Sequence, residues 1–114
     1  MVEVLRKNEL DKSQFGHLFY VTFANKTAIR GNHYHKKTYE YYIVVQGRMI
    51  VLLKDIKSGE EKKLIMRAQD RERLRIDPFV AHASYSLSRK TVLLAYNSLA
   101  YSKMKPDTFT YKLI

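Results

Sequence analysis

The sequence predicts an all-β fold, a sandwich or a barrel. Three observations carry that prediction. Almost every segment between turn signals is short and rich in Val, Ile, Tyr, Thr and Phe, the residues that suit a pleated strand. The segments recur at regular spacing, as they do in sandwiches and barrels. No stretch has the length and periodicity of a substantial helix, and only 8–14 has room for a single helical turn.

The elements follow in order. A first strand is expected over 2–6 (VEVLR). The next covers 17–24 (HLFYVTFA) and stops at Asn25-Lys26. Strands over 38–46 (TYEYYIVVQ) and 48–54 (RMIVLLK) meet at Gly47. The stretch 55–60 reads as a hairpin loop with Gly59 at a positive φ, leading into 62–67 (KKLIMR). A short strand over 73–76 (RLRI) ends at Asp77-Pro78. Strands over 80–87 (VAHASYSL) and 91–96 (TVLLAY) are separated by Ser88-Arg89. After Lys105-Pro106, a last strand is expected over 107–113 (DTFTYKL).

Two of these strands are apolar on both faces. Over 38–46, Tyr42 and Val44 share a face with Glu40, while Tyr41, Ile43 and Val45 lie opposite. Over 48–54, Ile50 and Leu52 oppose Met49, Val51 and Leu53. A second layer or a partner subunit must cover the other face, so a homodimer is expected.

Composition narrows the class. The 114 residues suit one domain over 1–114. With 46% hydrophobic and 28% charged residues, wholesale disorder is excluded. No Cys is present, which removes disulfides and thiolate chemistry. The apolar runs are far shorter than the ~20 residues a membrane span needs, and the first residues show no apolar signal core. A soluble, cytoplasmic protein is expected. The net charge of +10 favours anionic partners. The basic residues are dispersed and mixed with acids around 60–75, so nucleic acid is not the expected partner.

Three of the four His fall in two tight contexts. His33 and His35 stand at i and i+2, which in a strand puts both on one face. Glu40 follows five positions later and offers a carboxylate oxygen. His82 follows Asp77-Pro78 in the second context. Neutral imidazoles and a carboxylate are good ligands for Zn, Fe, Ni or Mn. His17 stands alone and reads as structural or exposed.

At these residues the chain resembles the cupin superfamily, whose fold is a double-stranded β-helix or jelly-roll barrel. The run His33-x-His35-x4-Glu40-x6-Gly47 has the spacing of the first cupin motif, and Pro78-x3-His82 is similar to the second. The pattern departs at Thr27, Val80 and Ser86, and the step from Pro78 to His82 is one residue short. Arg30-Gly31-x-His33-x-His35-Lys36 resembles the cupins that act on nucleotide-linked keto sugars: the dTDP-4-dehydrorhamnose 3,5-epimerases, the dTDP-sugar 3,4-ketoisomerases, and the C-terminal cupin domain of the bifunctional UDP-sugar enzymes of capsular polysaccharide synthesis. The third group fits best, because it shares Glu40 and a Pro106-Asp107-Thr108-Phe109 tail.

The resemblance implies a divalent metal, Zn first and Fe, Ni or Mn as alternatives, held by His33, His35, Glu40 and His82. It implies an isomerase or epimerase of nucleotide-linked 4-keto deoxysugars, with a nucleotide-diphosphate sugar as partner. Such an enzyme removes the acidic C3 proton to form an enediolate. His33 or His35 is the expected base. If both bind metal, Tyr42 is the candidate proton carrier. Arg30, Lys36 and Ser84 are the candidate substrate contacts, Arg30 because a guanidinium grips phosphate bidentately. A non-catalytic sugar-binding cupin and a metal-dependent cupin oxygenase are the alternatives.

Overall fold

A computed structural model describes residues 1–6, 8, 15–100, 102 and 104–114. Among them are nine strands: β1 (His17–Thr22), β2 (Ile29–Tyr34), β3 (Glu40–Gln46), β4 (Arg48–Asp55), β5 (Glu61–Arg67), β6 (Arg73–Ile76), β7 (Val80–Ser86), β8 (Val92–Asn97) and β9 (Phe109–Thr110). One 3-10 turn, Ala68–Asp70, precedes β6. No helix among the described residues is long and apolar enough to cross a membrane.

The strands form two antiparallel sheets, ordered β1-β8-β3-β6 and β5-β4-β7-β2-β9. Only the β4–β5 connection stays within one sheet; every other connection crosses to the opposite sheet. This alternation is the cupin jelly roll. The corners need special residues. At the β3–β4 corner Gly47 has φ 77°, and a Cβ there would sit 2.4 Å from the Lys90 carbonyl oxygen. Only glycine fits both demands.

Antiparallel register sorts side chains into rows across each sheet. Inward rows of the four-stranded sheet are Val21-Leu93-Val44, then Phe19-Ala95-Tyr42-Leu74, then His17-Asn97-Glu40-Ile76. Those of the five-stranded sheet are Met49-Ser86-Met66, then Val51-Ser84-Arg30, then Leu53-His82-His33. The first rows make a dry core with Val21, Val44, Met49, Val51, Met66 and Leu93. The last row of each sheet carries the chemistry.

Three expectations are corrected. Residues 2–6 form no strand; the Val4 carbonyl accepts from Arg73 instead of a strand partner. A strand not expected from sequence, β2, carries the Arg30 to Tyr34 string. The last strand shrinks to Phe109–Thr110, because the amides of Tyr111, Leu113 and Ile114 bond to Asn32. The helical turn expected over 8–14 lies, beyond Asn8, outside the described residues. The apolar outer face of the four-stranded sheet is covered in part by the chain itself: Phe15 packs 5.3 Å from the Tyr96 ring, and the Gly16 amide donates to the Tyr96 hydroxyl at 2.8 Å.

Candidate functional site

Four elements bring His33, His35, Glu40 and His82 together, with one donor atom from each within 4.8 Å of all the others. His33 arrives by a bulge. Arg30 pairs with Ser84 and Gly31 with Ala83, but His33 pairs with His82, so Asn32 is an extra residue in β2. Were Asn32 in regular register it would take the place opposite His82 and His33 would face outward, since one position of register reverses the face. The bulge needs positive φ at Gly31 (90°) and Asn32 (58°), and a Cβ on Gly31 would lie 2.6 Å from the His82 carbonyl oxygen.

His35 follows the end of β2. Its Nδ1 donates to the Asp107 carbonyl oxygen at 2.5 Å, which turns Nε2 toward Glu40. Glu40 opens β3. His82 is delivered by the turn after β6, where Phe79 adopts φ 65° and its amide donates to the His35 carbonyl oxygen at 2.7 Å. This compact turn meets the short step from Pro78 to His82. His82 Nδ1 donates to the Val80 carbonyl oxygen at 3.1 Å, leaving Nε2 as a lone pair.

The electrostatics follow from burial around one carboxylate. Glu40 is 3% exposed. Burial alone would raise its pKa, but its hydrogen bond to His35 and the His82 ring beside it hold it well below the usual carboxylate range. Burial first, and the neighbouring His82 with it, push His33 down to about 4. Burial also opposes charge on His35, yet its bond to Glu40 wins and raises its pKa. His82 Nε2 is buried 3.0 Å from Glu40 Oε1 and has no hydrogen-bond partner among the described residues. Imidazole lone pairs fixed from behind by backbone carbonyls, and aimed at a buried carboxylate, are the donor set of a divalent transition-metal site. The residues fit a metal.

The other sequence candidates divide. Tyr42 is buried one step inward from Glu40, 6.1 Å ring to ring from His82. Burial, and then the hydrogen-bonded Glu40 carboxylate, push its phenol well above the ordinary value. Ser84 is buried on the inward face, opposite Arg30. Arg30 is exposed, yet its charge reaches Tyr42. Lys36 is not brought to the cluster: its ammonium lies 4.3 Å over the Phe109 ring. His17, read from sequence as structural or exposed, is exposed and shares the Asn97-Glu40 row. A cavity of about 210 Å³ opens beside His35, lined also by His17, Lys37, Asn97 and Lys105.

Sequence reasoning missed three residues. Asn97, between His17 and Glu40, has a buried amide oxygen with no hydrogen-bond partner among the described residues; nothing in the sequence marks it. Asn32 and Asp107 hold the chain on either side of the two His. Their signals were the Asn of Arg30-Gly31-Asn32-His33 and the Pro106-Asp107-Thr108-Phe109 tail.

The comparisons agree with this architecture. A search of curated proteins finds no match to the chain. Among solved structures, the capsular polysaccharide assembling protein CapF from Staphylococcus aureus superposes with a TM-score of 0.80 at 18% identity, covering 87% of this chain and 27% of CapF. QdtA, a sugar 3,4-ketoisomerase from Thermoanaerobacterium thermosaccharolyticum solved with TDP, superposes with a TM-score of 0.71 at 28% identity, covering 83% of this chain and 66% of QdtA. A QdtA variant has been solved with TDP-4-keto-6-deoxyglucose. WlaRA, a TDP-fucose-3,4-ketoisomerase from Campylobacter jejuni, superposes with a TM-score of 0.73 at 22% identity, covering 84% of this chain and 67% of WlaRA. The chain thus spans about a quarter of CapF and two thirds of the ketoisomerases. The family model for the polysaccharide biosynthesis C-terminal domain matches residues 1–109, which takes in every residue of the cluster, and the chain belongs to that family.

Proposed function

We propose that this chain is an isomerase or epimerase of a nucleotide-linked 4-keto deoxysugar in surface polysaccharide synthesis. The observation that carries the reading is the convergence of His33, His35, Glu40 and His82 at one end of the barrel interior, in a row next to Arg30, Tyr42 and Ser84. Family membership and the TDP-sugar ligands of QdtA support it.

In this reading His35, Glu40 and His82 would hold a divalent metal, and His33, whose Nε2 stands farther from Glu40, keeps its lone pair for the proton. Two imidazoles and one carboxylate would leave an open position on tetrahedral zinc and more on six-coordinate Fe, Ni or Mn. A metal there would supply positive charge beside the oxygen that becomes negative as the enediolate forms. Arg30, exposed at the edge of the cluster, binds the diphosphate. The Tyr42 hydroxyl donates to Glu40 and steadies its carboxylate. His33 is the imidazole best placed for the proton. Its Nε2 stands 3.9 Å from Glu40 Oε1, against 3.0 Å for His82, and it is the one partly exposed imidazole of the four residues. Its depressed pKa keeps it neutral, so it has the lone pair that proton abstraction requires. The C3–H bond breaks, its electrons enter the enediolate and the proton rests on His33. Delivery of a different proton to the opposite face of C3, from solvent or a second acid, inverts that centre. Return to C4 moves the ketone to C3.

The chain is also proposed to pair with a second copy through the outer face of the four-stranded sheet, where Leu18 and Tyr20 are 52% and 72% exposed. Light scattering behind size exclusion reads that state directly.

Solvent-deuterium wash-in tests the activity. Zinc-loaded protein is mixed with UDP- and dTDP-4-keto sugars in D2O and the sugars are read by NMR. Deuterium at C3 or C4 is expected. Binding without incorporation would replace catalysis by a sugar-binding module. Oxygen uptake by iron-loaded protein would point to the oxygenase.

A further inference from the structure

The tail string Pro106-Asp107-Thr108-Phe109 is left without a role by this mechanism, and the contacts of Asp107 point inward. Its side chain and its carbonyl both grip the segment that carries His35 and follows it. Its carboxylate accepts the Lys36 amide at 3.0 Å, the Lys37 amide at 2.9 Å, the Thr38 amide at 2.9 Å and the Thr38 hydroxyl at 2.7 Å. Its carbonyl oxygen accepts His35 Nδ1–H at 2.5 Å. One residue therefore shapes the loop between His35 and Glu40 and also sets the tautomer and aim of the His35 ring.

The rest of the tail locks the other side. Phe109 pairs with Tyr34, the rings 5.4 Å apart. The Tyr111 amide donates to the Asn32 carbonyl oxygen at 2.8 Å. The Asn32 side-chain oxygen accepts the amides of Leu113 at 2.9 Å and Ile114 at 3.2 Å. Asn32 immediately precedes His33, and 36–38 immediately follow His35. The tail clasps the H-x-H segment at both ends, across about 70 residues of sequence.

We propose that Asp107 is a positioning residue of the metal site: its carboxylate and carbonyl together hold His35 in the Nδ1–H tautomer with Nε2 toward Glu40. This inference rests on the metal reading above. A carboxylate that receives several backbone N–H donors is a strong, directional anchor. Partners that orient a ligating imidazole from behind are worth roughly 10- to 100-fold in metal affinity.

Two variants test it in the full chain. Asp107→Asn keeps the shape but turns one acceptor into a donor facing amide N–H groups. Thr38→Val removes one donor and leaves the carboxylate. Zinc affinity is measured by competition with a chromogenic chelator, and the His35 tautomer by long-range 1H–15N NMR. Asp107→Asn is expected to weaken zinc by about 10- to 100-fold and to populate the Nε2–H tautomer of His35, with the far-ultraviolet β signature retained. Thr38→Val is expected to weaken zinc by a few-fold, and it decides the matter if Asp107→Asn does not fold. Unchanged zinc affinity and an unchanged His35 tautomer would overturn the proposal. Should the unsubstituted protein take up no zinc, the metal reading falls, and the tautomer comparison alone judges whether Asp107 sets the ring.

Discussion

The two ends of the barrel interior are built from the same strands and hold opposite chemistry. At the Gly47 end, β7 buries Ser86, and among the described residues each buried side-chain polar atom there finds a partner. Ser86 Oγ donates to the Ser88 carbonyl oxygen at 2.6 Å and lies 2.7 Å from Thr91 Oγ1, which donates to the Arg48 carbonyl oxygen at 3.0 Å. Around that network Met49, Val51, Val44 and Leu93 are buried and dry. Four residues earlier on β7, His82 is equally buried, and its Nε2 has no donor. The Asn97 amide oxygen, next to Glu40 in register, is orphaned too. Buried polar groups are normally satisfied because an unpaired one costs about 1–3 kcal/mol. Among the described residues the orphaned side-chain atoms, His82 Nε2 and Asn97 Oδ1, both lie at the Glu40 end. The closed network reads as structure, and the open one is where the proposed site lies.

The largest effects come from damaging each end separately. Met49 is fully buried at the dry end. Met49→Ala is expected to cost about 2–5 kcal/mol of stability, read by urea unfolding, with zinc affinity of the folded protein unchanged. A matching loss of zinc affinity at temperatures where the variant is folded would show that the ends are coupled. Glu40→Gln is the mirror experiment. It is expected to weaken zinc by roughly 100-fold, about 2.7 kcal/mol, and to leave the metal-free melting temperature within a few degrees, since it removes a buried charge along with its bonds. A large drop in melting temperature with zinc affinity intact would make Glu40 a structural residue.

The dry end was the easier to read from sequence. Alternation on 48–54 put Met49, Val51 and Leu53 on one face, and the structure agrees. The lone glycine between two apolar runs located the Gly47 corner. The other end was legible in its residue types and opaque in its geometry. Gly31 and Asn32 read as turn residues, so β2 went unrecognised; their positive φ angles are the bulge that aims His33. The tail 107–113 had the composition of a strand, but Asp107 and the last amides spend their hydrogen bonds on 36–38 and Asn32. Residues 2–6 had strand composition and no partner edge. Pairing partners some 70 residues away leave no local signal.

A smaller effect sharpens the contrast through protons. In metal-free protein the raised pKa of His35 keeps it protonated above its ordinary 6.5, while His33 stays neutral down to about 4. Zinc must displace the His35 proton. Calorimetry at pH 6.5 in buffers of different ionisation enthalpy is expected to show proton release, fading as pH rises through the His35 value. His33 works in the opposite sense on stability. Its pKa is lower in the fold than in the unfolded chain, so the unfolded state binds more protons below 6.5, and metal-free stability falls from there toward pH 4 on its account. Equal buffer heats would mean that no proton sits between His35 and Glu40.

The smallest effect tests the boundary between the two ends. Tyr42 lies in the middle row, with Ala95 and Leu74 beside it, and it is the first group from the dry core to touch Glu40. Its ring belongs to the core, and its hydroxyl belongs to the site. Tyr42→Phe keeps the ring, so it opens no cavity, and it removes one hydrogen bond to a charged acceptor. That bond is worth about 1.5–3 kcal/mol where both partners stay buried, but Glu40 keeps its bond to His35, so the net loss in stability is expected at about 1 kcal/mol. Zinc affinity is expected to fall only a few-fold, because the carboxylate loses a brace and no ligand is removed. If Tyr42 instead carries the catalytic proton, Tyr42→Phe will abolish deuterium incorporation with zinc and stability barely changed. If it is a brace, incorporation will slow in proportion to the zinc lost and recover at saturating zinc. A phenol pushed well above its ordinary pKa by burial and a carboxylate keeps its proton, and on that ground the second outcome is expected.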